Sequence, residues 1–317
     1  MKKIISFFAL SFVLLSCEKE IKMDIPGYEE QLVIDGTIET GMPPIVLIST
    51  SKDIYAPTNL DAFLSGFISG ATVTVSDGTT TVTLDEVCTD NLPAGSEEFA
   101  AALFGVSVAD LSNLHLCAYT SFNPAIWGQI GKTYDLTVSY EGKTYTATTS
   151  IVQPTGLDDL YWKSEGGNLA NYGYSWAKLT DPGGQFDGYR WEVKRINTGA
   201  NGKPIDGAFR TTFNPIFTDE FFDGLTFEFF YENPMSFADQ SVPDELKGYY
   251  KIGDTVVVKL SKMDRAVCEF FEKKYIQLST AGNPFATPAN IPTNIVGGAL
   301  GVWAGLSPTF DTLICQP

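Results

Sequence analysis

The chain has 317 residues, with 38 acidic against 21 basic side chains and a formal net charge of −17, a balance that excludes nucleic acid and anionic membrane surfaces as electrostatic partners. A hydrophobic share of 44%, with 13% aromatics, suffices for a large core, in two domains or one large all-β unit. The charge runs the length of the chain without an acidic tail and reads as solvation, while a single histidine and the lack of any C-x-x-C pair argue against a metal centre.

Lys2 and Lys3 precede an apolar run, Ile4 to Leu15, broken by Ser6 and Ser11. This run is too short to anchor a bilayer span and reads as the core of a signal peptide over residues 1–16. Leu14-Leu15-Ser16-Cys17 sets a small residue directly before a cysteine. That is the pattern of a bacterial lipobox, in which Cys17 is lipidated and its lipid anchors an otherwise soluble chain. A tether over residues 17–30 follows, with Pro26-Gly27 inside it.

From Gln31 onward the pattern is one of strands. Leu32, Ile34 and Ile38 alternate through Gln31–Glu39, and Gly41-Met42-Pro43-Pro44 turns the chain into Ile45–Ser51. Gly70–Ser76 and Thr79–Leu84 flank Asp77-Gly78, while Tyr134–Tyr140 and Thr144–Ile151 flank Glu141-Gly142-Lys143. Both connections carry hairpin chemistry. With Cys117–Phe122 these make about seven strands rich in alternating threonine, valine and tyrosine, which predicts an N-terminal immunoglobulin-like β-sandwich over residues 31–152.

Ser96–Leu111 breaks that pattern with alanine, leucine and early glutamates, predicting one or two short helices inserted between strands. The insertion is either a binding surface or a lid over one open end of the sandwich. Cys88 and Cys117 flank it, and pairing them would close its base. Cys268 with Cys315 completes one of the three pairings open to four cysteines, against a competing reading of buried free thiols.

Gln153-Pro154-Thr155-Gly156 marks a boundary to a second β-rich, sandwich-like domain over residues 157–317. Strands are expected at Leu157–Ser164, Tyr172–Leu179, Gly188–Ile196, Leu225–Tyr231 and Asp254–Leu260. Within Met263–Ser279, Val267, Phe270, Phe271, Tyr275 and Leu278 keep the three-four spacing of one packed helix. Two closing strands are expected around Val296–Ala304 and Thr309–Cys315.

Catalytic signatures are poor. There is no G-x-S-x-G, no H-E-x-x-H and no phosphate-binding glycine loop, and His115 between Leu114 and Leu116 reads as a strand-edge residue. Asp219 with Glu220, or Asp158 with Asp159, could serve a glycosidase, yet a chain with 38 acidic residues supplies such pairs by chance. Asp181-Pro182-Gly183-Gly184-Gln185-Phe186-Asp187-Gly188 has acids and glycines suited to Ca²⁺ but not the order of an EF-hand loop, and a β-turn explains it better. No catalytic residue, metal or cofactor is expected. Phe209–Phe237 is dense in aromatics: Phe227 and Phe229 alternate as core residues, whereas Phe217, Phe221 and Phe222 lie in a less regular stretch and are candidates for facing a partner or stacking on sugars.

Several of these segments together resemble one family. They are the lipobox, Leu32-Val33-Ile34-Asp35-Gly36, Phe221-Phe222-Asp223-Gly224, Gly253-Asp254-Thr255-Val256 leading into the Met263–Ser279 helix, Gly282-Asn283-Pro284-Phe285 through Pro288, Asn294 to Gly297-Gly298, and Leu300-Gly301-Val302-Trp303. The chain is similar over nearly its whole mature length to Bacteroidota lipoproteins of domain-of-unknown-function family 4249. The internal cysteines and the 96–111 insertion depart from that pattern. Glu18-Lys19-Glu20 also resembles the acidic tag that sends lipoproteins of this phylum to the outer membrane and its outer face.

The resemblance implies a non-catalytic outer-membrane surface lipoprotein, a ligand-capture accessory of a SusC-type TonB-dependent receptor. Its ligand would be a small molecule, peptide or glycan, and it implies no site residue. A surface structural or adhesive module that binds glycan or another protein is the alternative expectation, and a carboxylate-pair hydrolase the third.

Overall fold

The computed structural model describes residues 29–52, 66–111, 113–199, 202–280 and 290–316. Residues 1–28, which carry the expected signal peptide and Cys17, lie outside the described residues, as does the loop motif from Gly282 to Pro288.

Alternation builds the first half. In β1 (Leu32–Glu39) Leu32, Ile34, Gly36 and Ile38 are buried and the alternate residues are half-buried, so one face meets a core. The strands β2 (Ile45–Thr50), β3 (Thr72–Ser76), β4 (Thr81–Thr83), β5 (Asp85–Cys88), β6 (Cys117–Thr120), β7 (Thr133–Tyr140) and β8 (Lys143–Ser150) follow. At the β3–β4 turn Asp77 Oδ1 accepts from the backbone N–H of Thr79 and Thr80. Glu141 and Gly142 at the β7–β8 turn both have positive φ, 47° and 75°, as a two-residue primed turn requires. β4, β3, β7 and β8 form one sheet, and it packs on β1, β2, β6 and β5 through Ile34, Ile48, Val73 and Leu136.

The second half adds β9 (Asp159–Gly166), β10 (Leu169–Thr180), β11 (Gly188–Arg195), β12 (Arg210–Thr218), β13 (Thr226–Tyr231), β14 (Tyr250–Lys251), β15 (Thr255–Met263) and β16 (Leu300–Ile314). The two expected closing strands are one continuous strand, β16. Its first half pairs in parallel with β1, from Val33↔Leu300 to Glu39↔Leu306. Its second half pairs antiparallel with β15, from Lys262↔Ser307 to Thr255↔Ile314. A single eight-stranded sheet therefore runs β12-β11-β15-β16-β1-β2-β6-β5, and its β12 end is sandwiched by a sheet of β9, β10, β13 and β14.

Trp303 of β16 is fully buried in the first core, where its indole N–H donates to the Tyr134 carbonyl at 2.9 Å. A Cβ at Gly36 would stand 2.7 Å from the Trp303 ring, so only glycine fits there. Val302, Ala304 and Leu306 face the other way, onto the helix Arg265–Ser279. Met263, expected to open that helix, is instead the last residue of β15. Asp264 caps the helix by accepting from the Val267 N–H at 3.0 Å. Where β16 leaves β1, Lys259 Nζ lies 2.6 Å from Glu39 and 3.6 Å from Glu192, and Glu192 also pairs with Arg190 at 3.0 Å.

β12 was not anticipated from the sequence. Pro215 and a positive-φ residue, Asn214 at 52°, sit inside it, and its register on β11 shifts between Arg190 and Glu192; a bulge of this kind hides the strand period. The 96–111 insertion forms helices Glu97–Phe104 and Val108–Leu111. It covers the outer face of β2 and β6, packing Ala100, Phe104 and Leu111 against Ile45, Leu47 and Ala118, so it lies on a sheet face and not over an end of the sandwich.

Cys88 and Cys117 are directly opposed on β5 and β6 and form a disulfide, whose loop closure stabilises the fold by roughly 3–4 kcal/mol. The Cys268–Cys315 pairing does not form. Cys268 lies on the buried face of the Arg265–Ser279 helix on one side of the large sheet, and Cys315 belongs to the core on the other. Burial pushes both thiols up to about 12, so neither is a nucleophile near neutral pH.

Trp303→Ala is expected to cost about 3–5 kcal/mol in chemical denaturation, while Phe310→Ala, on an exposed position of the same strand, costs about 1 kcal/mol or less. In a chain starting at residue 18, Ellman's reagent should find no fast-reacting thiol in the native protein. Two thiols should appear on unfolding and four after reduction.

Candidate functional site

The outer face of β10 is inverted relative to an ordinary half-buried strand. Gly173, Ser175, Ala177 and Leu179 point inward, and the large side chains Tyr172, Tyr174 and Trp176 point outward. Small residues suffice inside because Trp162, Trp191 and Tyr250 already fill that core. Gly173 is required on packing grounds, since a Cβ there would lie 2.1 Å from the Lys163 carbonyl oxygen.

Cross-strand pairing extends the outward rings into a surface. Trp176 is opposite Phe230 of β13 and Tyr161 of β9, with ring centroids 5.1 and 6.4 Å away. Tyr174 lies 5.0 Å from Phe230 and 4.9 Å from Tyr249, and Tyr249 lies 6.5 Å from Tyr172. Lys163 places its ammonium 4.6 Å above Trp176. Burial, the Tyr249 hydroxyl and the charges of Glu165 and Glu232 push the Tyr174 hydroxyl up to about 12, so it stays neutral in ordinary conditions.

This face runs into an open groove of about 630 Å³ lined by Tyr174, Phe213, Phe230, Phe237, Glu232 and Lys247. Phe213 and Phe237 are 67% and 57% exposed. Glu232 is held at the groove edge by accepting from the Phe213 N–H at 2.7 Å, and Lys247 by Asp244 at 2.8 Å. Apolar faces with charged groups at the rim suit ring-bearing ligands: the rings supply contact area, and the rim groups supply direction.

The residues singled out from the sequence lie off the β10 face, some beside its groove and some away from it. Phe217 and Phe222 are half-buried against the second core, with Phe217 stacked on Tyr189 at 5.1 Å, and their remaining surface lines a second open groove that shares Phe213, Phe230 and Glu232 with the first. Phe221 is 88% exposed. Phe227 and Phe229 pack on the same core. Asp219 is buried and its neighbour Glu220 exposed, so the pair does not converge. Asp158 accepts from Thr180 Oγ1 at 2.6 Å and Asp159 is exposed. His115 is exposed, 3.3 Å from Asp90. It also neighbours Cys88 and Cys117, whose sulfurs are consumed by the disulfide. Asp181 and Asp187 are brought next to Asp219. The alternation Tyr172-Gly173-Tyr174-Ser175-Trp176-Ala177 is the sequence signal that carries the aromatic face.

A family model described as "Domain of unknown function (DUF4249)" matches residues 18–309. No curated protein matches the chain.

Proposed function

Because the chain belongs to the DUF4249 family, whose description assigns no activity, we propose its role from its own surface: a non-catalytic, lipid-anchored ligand-capture protein of the outer membrane surface. It binds a ring-bearing ligand, a glycan or an aromatic peptide, on the β10 face and hands it to a SusC-type TonB-dependent receptor. The observation that carries this reading is the continuous aromatic face of Tyr161, Trp176, Phe230, Tyr174, Tyr249 and Tyr172 leading into the groove. Contiguous apolar faces with charged rims, such as these half-exposed rings make with Phe230, are where ligands and partners dock. The lipobox at Cys17 and the net charge of −17 support a soluble body held at a membrane by lipid and not by charge.

The adhesive alternative uses the same face, with an immobile polymer as ligand and no transporter. A pull-down of tagged protein from native outer membranes in mild detergent separates the two. A TonB-dependent β-barrel at near-stoichiometric yield is expected, and its absence would remove the transporter from the proposal. Trp176→Ala combined with Phe230→Ala should leave folding intact and weaken capture of neutral oligosaccharides or aromatic peptides on an array at least tenfold, about 1.4 kcal/mol. Cys17→Ala should release the protein into the soluble fraction, as read by fractionation.

A further inference from the structure

Three buried aspartates meet where the connections β10–β11 and β12–β13 touch. Asp181, Asp187 and Asp219 are 2%, 1% and 5% exposed, and each offers an oxygen within 4.8 Å of the other two. Two of them have partners. Asp181 accepts from the Tyr189 hydroxyl at 2.6 Å and the Gly224 N–H at 3.2 Å. Asp187 pairs with Lys262 at 2.7 Å and accepts from Gln185 at 3.1 Å, with the Tyr189 hydroxyl at 3.4 Å.

Asp219 is different. Its carboxylate accepts from no donor and pairs with no cation among the described residues, although the side chain is buried and turned into the other two. A buried carboxylate without a partner beside two further carboxylates is strongly unfavourable unless a positive charge joins them. Lys262 is the one cation in ion-pair contact with the cluster among the described residues, so three carboxylates face a single ammonium. The uncompensated charge is that of a divalent cation.

The donors are all hard oxygens, which suit Ca²⁺ or Mg²⁺ and not a transition metal. The three oxygens lie within 4.8 Å of one another, close enough to share one ion, and three protein carboxylates suit Ca²⁺, whereas Mg²⁺ keeps several waters and takes one or two carboxylates. We propose that Asp181, Asp187 and Asp219 form a calcium site that ties the β10–β11 turn to the end of β12, with Asp219 the ligand that no other described group of the chain satisfies. This site is separate from the aromatic groove and stands or falls independently of ligand capture. Spacing along the chain conceals it, because the third aspartate arrives from another connection.

The test uses the chain from residue 18, stripped with EDTA and titrated with CaCl₂ alone by calorimetry. Terbium luminescence excited through tyrosine is read in parallel, since Tyr189 adjoins the site. One Ca²⁺ per chain is expected, with a dissociation constant on the order of 10⁻⁴–10⁻³ M, as in extracellular modules. Saturating Ca²⁺ should raise Tm by about 5 °C. Asp219→Asn should weaken Ca²⁺ at least tenfold while leaving the metal-free Tm equal or higher, because it removes repulsion. Glu220→Gln, at the exposed neighbour, should bind as wild type. Absence of stoichiometric Ca²⁺ binding to the wild type, unchanged binding by Asp219→Asn, or equal affinity for Mg²⁺ would each overturn the assignment.

Discussion

The structure depends on β16 having two different neighbours along one strand. A strand exposes backbone N–H and C=O groups on both edges, and those groups must be paired when buried. β16 meets that requirement with β1 for its first half and β15 for its second. Its two faces are also both covered, by Trp303 in the first core and by Val302, Ala304 and Leu306 under the helix. This last strand pairs the facing edges of β1 and β15 and so joins the two sandwiches in one sheet. Residues far apart in sequence are therefore coupled in folding, a topology dominated by non-local contacts and slow to assemble.

Packing in the second sandwich sets the surface chemistry. The core there is filled from within by Trp162, Trp191 and Tyr250, which leaves the middle of β10 room for only Gly173, Ser175 and Ala177 on its inner face. Its large rings then have only the outer face. The aromatic groove is thus a consequence of how volume is divided between two sheets, and a change of inner residue size would alter the outer surface through the same strand.

The acidic composition divides into two physically different populations. Most carboxylates are solvated and contribute solubility. A few are buried and tied to specific partners, as in Glu192–Arg190, Asp206–Arg195 and Asp187–Lys262. Buried pairs carry a desolvation cost, so they add little net stability but penalise alternative registers that would leave one partner alone. Asp219 stands apart from these pairs because it lacks such a partner.

Local periodicity in the sequence determined most strands, the helix ending at Ser279, both hairpin turns and the Cys88–Cys117 closure, because alternation, capping and turn residues act over a few positions. The tertiary structure alone decided the rest. It merged two expected closing strands into β16, since a strand's partners are not encoded near it, and it revealed β12 behind the bulge at Asn214. It separated Cys268 from Cys315 by a sheet, and set Phe217 and Phe222 half-buried between a core and a groove while bringing Trp176, Phe230 and Tyr249 together outside. Three aspartates from two connections met for the same reason: convergence in space depends on how sheets stack, and stacking depends on side-chain volumes summed over the whole chain.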